Sequence, residues 1–345
     1  TIDPRSLRPT LSCFKVANRM PLRPGESCPQ HTGTGFAPQP AILETTAAYA
    51  NTVDLGFGRE MHCVQDGANA ACYVSNYDQS PYTGPGQGPD TTKAQHAVEG
   101  LNGTRLPDAT VAMEFSQIED TASNGSPVTL TDPDRVVKFY VFNQAGNPVD
   151  AADLDGLGAR PVPQLCMVCH GGEIPNAIGT TSTAGGVPTP VFNDGDPATD
   201  DRPHVKLGSR FLPFDLQSFT YAAPDSDAAN PFNKLNQQAA FKRLNEIAKV
   251  APSPDPLDPP SSVVSDLFDA WYPGGAIPQI ENAVPALWNT DALHRNVYVN
   301  VVGKACRTCH VSNTASNLRF ERPGASGFDG QLGSIQNRVC NEHVM

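Results

Sequence analysis

The chain has 345 residues and a net charge of −12, and Gly and Pro occupy about 18 % of its positions against an average near 12 %. Such acidity argues against nucleic acid and anionic membrane surfaces as partners, and no apolar run approaches the ~18 residues of a transmembrane helix. The abundance of turn formers predicts a loop-rich protein with few long helices.

Residues 1–40 are punctuated by Pro, Arg and Gly, and a bridge between Cys13 and Cys28 is expected to staple this segment, which has little core of its own. Residues 52–78 read as a β-hairpin. Its arms meet at Gln65-Asp-Gly-Ala-Asn69, where Asp66-Gly67 is a strong turn cue. Cys63 and Cys72 fall on opposite arms near that turn, which makes a cross-strand disulfide geometrically easy. Gly56 and Gly58 in the first arm predict a bulge or a close approach by something bulky. Residues 79–108 read as turn-rich. Strand character returns at Ala109–Ile118 and Arg135–Phe142, and Asn143-Gln-Ala-Gly-Asn-Pro148 then turns the chain. Residues 1–150 are therefore expected to form a β-rich, disulfide-stapled domain without a cofactor motif.

Residues 151–250 carry the first of two short motifs. Pro161 and Pro163 precede Cys166-Met-Val-Cys169-His170, which places the motif at the opening of a short helix or on a turn. The segment 173–230 is irregular. Within it, Asn193–Asp201 carries four carboxylates but lacks EF-hand spacing, and it reads as a solvated acidic loop. Phe232–Val250 is the clearest amphipathic helix, with Leu235, Ala239, Leu244, Ile247 and Val250 as its apolar stripe and Phe241 at its edge. Residues 251–260, with five prolines, read as a stiff linker. Beyond it, residues 261–345 are expected to hold one helix ending at Tyr272 and another from Thr290 and Asp291 into Cys306-Arg-Thr-Cys309-His310.

C-x-x-C-H is the attachment signal for c-type haem. Two thiols two residues apart add across the two vinyl groups of one porphyrin, and the adjacent imidazole lies under the iron. A zinc knuckle would need a second Cys/His pair nearby, and a redox dithiol would need a βαβ context. The expectation is two haem c groups, held by Cys166, Cys169 and His170 and by Cys306, Cys309 and His310, with His170 and His310 as proximal ligands. Several residues compete for the far side of each iron. Met345 stands thirty-five residues beyond His310, with His343 as its rival. His62, His204 and His294 are the alternatives for the first haem or for a stacked neighbour. An open sixth position is the further alternative. Cys340 is the odd cysteine once the other pairings are made.

The helix leading into Cys306 resembles the way class I c-type cytochromes present their haem motif, and residues 160–180 and 290–345 are similar to the cytochrome c superfamily. The fold class expected is α+β and loop-rich, a β-rich N-terminal domain followed by mainly α-helical haem-binding regions. The resemblance implies a dihaem cytochrome that transfers electrons to and from redox protein partners. Two other resemblances imply different roles. Bacterial dihaem cytochrome c peroxidases also carry two such motifs, but their first lies near the N-terminus, whereas 165 residues precede Cys166 here. Subunits of extracellular cytochrome polymers, which form homo-oligomers or filaments, also stack haems in loop-rich chains. Thr1 in place of Met reads as a processed chain. With haem attachment and nine cysteines, this leads to the expectation of a periplasmic or extracellular location.

Overall fold

The computed structural model describes residues 8–28, 40–51, 55–78, 90–117, 119–121, 127–129, 135–154, 158–171, 179–181, 189–191, 209–250, 262–307, 311 and 329–331. A helix α1 (Leu11–Ala17) begins at Thr10, whose side chain accepts from the Cys13 amide at 3.1 Å. Strands β1 (Thr45–Ala50), β2 (Gly58–Asp66) and β3 (Asn69–Tyr77) follow. Helix α2 (Thr91–Leu101) then leads to β4 (Ala109–Gln117). A small antiparallel pair, β5 (Glu119–Thr121) and β6 (Pro127–Thr129), precedes β7 (Arg135–Asn143). Strands β1, β2, β3, β4 and β7 form one antiparallel sheet in that order. The fold is mixed α+β, with this sheet followed by a mainly helical C-terminal region, as expected.

The hairpin turns at Gly67, whose φ of 59° is the left-handed value a tight two-residue turn requires at its first position. Cys63 lies directly opposite Cys72 and is bonded to it, and Cys13 is bonded to Cys28. Both expected disulfides are present, consistent with an oxidising extracytoplasmic location. Among the described residues no helix is long and apolar enough to cross a membrane.

The segment 90–101 departs from the turn-rich reading. Asp90 caps α2 by accepting from the Lys93 amide at 3.2 Å, and the helix buries Ala94, Ala97, Val98 and Gly100. These small residues let it lie close against the sheet. A Cβ added to Gly58 would stand 2.1 Å from the Lys93 carbonyl oxygen, so the close approach expected of this glycine is that of the α2 backbone. The obstacle is main chain and cannot swing aside. Gly58→Ala should therefore cost about 1–3 kcal/mol, measured by urea unfolding.

Strand alternation divides the sheet into two chemically different faces. One bears Ala47, Tyr49, Met61, Cys63, Cys72, Met113, Phe115, Val137 and Phe139, and packs into a single apolar core. The other bears Val64, Ala71, Tyr73, Ala112, Tyr140 and Phe142 beneath α1, and Ala48 and Tyr77 beneath α2. Buried charge is concentrated on this second face, around Glu60 with His62 and around Glu114 with Arg8 and Lys138.

After the two-residue pair β8 (Ala151–Ala152) and β9 (Arg160–Pro161) comes α3 (Gln164–His170), then the short pair β10 (Gly179–Thr181) and β11 (Thr189–Val191). Helix α4 (Gln238–Ala248) packs on the apolar face. Its central residue is Phe241, fully buried and ringed by Tyr49, Phe214, Phe219 and Tyr221 at centroid distances of 5.4–6.3 Å. The expected stripe is thus rotated. Leu235 precedes the helix and is 51 % exposed, Ala239 is exposed, and buried Asn245 takes a place on the inner face. The sheet, Cys166 and α4 share one core, which runs across residue 150. The expected linker 251–260 lies outside the described residues.

Helix α5 (Ser262–Trp271) supplies Leu267, Phe268 and Trp271 to a second cluster with Tyr272, Trp288, Tyr298, Val302 and Val311, and helix α6 (Ala292–Val297) packs Val297 against it. Asp291 caps α6, accepting from the His294 amide at 3.0 Å. The helix continues as a π-helical stretch, Tyr298–Cys306, so a helix does run into the second motif.

Candidate functional site

The first motif occupies the last turns of α3. Pro163 starts the helix, its carbonyl accepting from the Cys166 and Met167 amides at 2.9 and 3.1 Å. Gly171, with φ 68°, ends it. Cys166 and Cys169 are three positions apart and therefore share one side of the helix. Neither is in a disulfide. Cys166 is 6 % exposed within the sheet's apolar core, and burial pushes its thiol up to about 12.

His170 is fixed by a strap of chain that includes Ser209 and Arg210. Its Nδ1 lies 2.8 Å from the Arg210 carbonyl oxygen, the Arg210 amide donates to the His170 carbonyl at 2.9 Å, and Ser209 Oγ donates to the Gly171 carbonyl at 2.7 Å. A carbonyl only accepts, so Nδ1 carries the proton and Nε2 keeps its lone pair. Burial lowers the ring's pKa to about 4. The Arg210 carbonyl opposes this shift, and the charge of Arg59 adds to it. The imidazole is therefore neutral at pH 7, the form in which it ligates a metal. Phe139 of β7 stands beside it at 5.3 Å.

The second motif is described only in part. Cys306 ends the π-helical stretch, and Cys309 and His310 lie outside the described residues. Arg307, inside the motif, is well placed. Its guanidinium pairs with the Asp215 carboxylate, donates to Tyr298 Oη at 2.9 Å, and stacks over Trp271 and Tyr298 at 5.0 and 5.8 Å. Asp215 belongs to the same strap that fixes His170.

Two of the candidate distal histidines, His62 and His294, lie among the described residues. His62 shares the opposite face of the sheet with Glu60 and Val64, since residue 62 alternates with Met61 and Cys63. Glu60 Oε1 is 2.6 Å from its Nε2 and Glu44 Oε2 is 3.0 Å from its Nδ1, while Tyr73 stacks on the ring at 4.4 Å. Burial opposes protonation of His62, but Glu44 and Glu60 outweigh it and raise the pKa. The sheet separates this imidazole from His170, and carboxylates hold both of its nitrogens. His294 is engaged similarly, by Asp291 at Nδ1 and by Asp329 Oδ2 3.2 Å from Nε2, and these bonds raise its pKa. His204, His343, Cys340 and Met345 lie outside the described residues, as does the acidic loop 193–201.

The methionines that share the apolar core with Cys166 from the sheet are Met61 and Met113, with Met167 packed against it from α3. Met113 sits opposite both Cys72 and Phe139 in the strand register. Strand alternation could have shown that Met61, rather than His62, shares a face with Cys63. The strap has no periodic pattern, and its role emerges only from the fold. Comparison with protein-family models, with characterised proteins and with solved structures finds no match to this chain.

Proposed function

We propose that the chain is a dihaem c-type cytochrome that passes single electrons between redox partners in the periplasm or at the cell exterior. The observation that carries this reading is the donor set of α3: two thiols on one side of a helix, followed by a neutral imidazole whose Nδ1 is tied to a backbone carbonyl. A second ring nitrogen held in this way orients a metal-ligating histidine and strengthens it as a donor.

In this reading Cys166 and Cys169 hold the porphyrin through thioether bonds and His170 presents Nε2 to its iron. Cys306, Cys309 and His310 do the same at the second motif. Met61 and Met113 are thioethers in the same apolar core as Cys166, soft donors suited to an iron that cycles between two charges. Haem, when bound, supplies the one-electron chemistry. The apolar core around Cys166 keeps water away, and the Arg210 carbonyl holds the imidazole's proton and ring plane in place.

The test is covalent haem in the protein secreted by a host competent for cytochrome c maturation. Acid–acetone extraction should leave two haems per chain by the pyridine haemochrome assay, and dithionite should sharpen the visible absorption bands. A colourless protein, or haem that is extracted, overturns the reading.

A further inference from the structure

The two motifs are tied to one another by a single short segment. Residues 209–218 hold His170 at one end and Arg307 at the other. Between these ends Phe214 exchanges two 2.8 Å hydrogen bonds with the Asn245 amide, and the Leu216 amide donates to Gln279 Oε1 at 3.1 Å. Asp215 is fixed as well as paired. Oδ1 accepts from Gln279 Nε2 at 2.9 Å and from the Gln217 amide at 3.1 Å, and Oδ2 accepts from Ser218 Oγ at 3.2 Å. Gln279 is in turn held by Gln238 of α4, through a 3.0 Å bond from its amide. Arg210 and Asp215 are five residues apart, so their Cα atoms are no more than about 18 Å apart even in a fully extended strap.

From this connection we infer that Asp215 and Arg307 are positioning residues that couple the reduction potentials of the two haems through the 209–218 strap. The inference rests on the dihaem reading. Two effects act together. The pair places opposite charges in a mostly buried setting, one inside the second motif and one on the strap that holds the first, with little solvent to screen them. The pair also anchors the strap whose Arg210 carbonyl sets the hydrogen bond of His170, and that bond tunes the ligand's basicity and hence the iron.

Charge gives the effect its sign. Arg307→Gln leaves the Asp215 carboxylate uncompensated, which favours the ferric, more positive state and lowers both potentials. Asp215→Asn leaves the guanidinium uncompensated and raises both. The double variant should return towards the parent, and Arg307→Lys, which keeps the charge, should shift least. Tyr298→Phe removes a partner of Arg307 but not the ion pair, and it should leave the first haem unmoved.

The experiment is spectroelectrochemical titration of the purified holoprotein and these variants, with each haem resolved by its spectrum and haem content measured in parallel. Opposite shifts of the first haem in Arg307→Gln and Asp215→Asn support the coupling. It is overturned if only the second haem responds, or if both single variants shift the first haem in the same direction, as simple loosening of the strap would do. Asp215→Asn lies outside both motifs, so the test survives if Arg307→Gln assembles poorly. Absence of covalent haem from the parent protein would instead overturn the dihaem reading itself.

Discussion

Replacing Cys166 and Cys169 together by Ser is expected to halve the covalent haem, from two groups per chain to one, and to destabilise the N-terminal sheet as well. Thioether bonds need sulfur, so serine at both positions cannot hold the porphyrin covalently. The loss is not confined to the cofactor, because Cys166 is 6 % exposed in the core that also contains Met61, Met113, Phe115 and Phe241. A hydroxyl at this position is buried among apolar side chains, at a cost of about 1–3 kcal/mol if it finds no partner. Without the porphyrin, the apolar contacts and the His170 bond it would make in the folded chain are lost as well, which removes further stability. Intact-mass measurement of the chain and its melting temperature give both readouts. A variant retaining two covalent haems would show that α3 does not anchor the porphyrin. The corresponding change at Cys306 and Cys309 should remove the other haem.

What the sequence reveals depends on whether the signal is local. The β2–β3 hairpin has a turn glycine between two strands and a cysteine on each arm, so its shape and its disulfide follow from about twenty letters. The C-x-x-C-H motifs are local too, since each sets two thiols and an imidazole within five residues. Helix α2 is hidden for the opposite reason. Its buried residues are mostly Ala and Gly, which give a weak apolar stripe and are chosen for closeness to Gly58 and Tyr77. A Cβ on Gly100 would lie 1.8 Å from the Tyr77 hydroxyl. Helix α4 is legible as a helix but not in its rotation. Asn245 and Gln238 face inward to satisfy the backbone of Phe214 and Gln279, which are distant in sequence. Strand alternation puts His62 on the face opposite Met61 and Cys63, where Glu44 and Glu60 meet it. The strap 209–218 has no period, because successive residues serve different neighbours.

The second large effect concerns Glu114, on the face of the sheet away from the motifs. Its carboxylate is fully buried and bonded by Arg8 Nε and Nη2, both at 3.3 Å, by Asn18 Nδ2 at 2.7 Å and by Lys138 Nζ at 3.1 Å. Burial alone would raise its pKa, but Arg8 and Lys138, helped by Asn18, hold it down at about 2 from an ordinary 4.5. A folded-state pKa below the unfolded one stabilises the protein above about pH 4.5, and that contribution is lost as the pH falls towards 2. At 1.36 kcal/mol per unit, it is on the order of 3 kcal/mol. Glu114→Gln removes the charge while Arg8 and Lys138 stay buried, which should cost about 3–5 kcal/mol at neutral pH. The variant also lacks the titrating group, so between pH 5 and pH 2.5 its stability should decline less steeply than that of the parent. Other acid-sensitive groups are common to both chains and cancel in the difference. Denaturant unfolding of the two holoproteins at pH 7, 5 and 2.5 measures both quantities. Parallel declines with acid would show that the Arg8–Glu114–Lys138 cluster does not depress this carboxyl, and that α1 is held to the sheet by its apolar contacts alone.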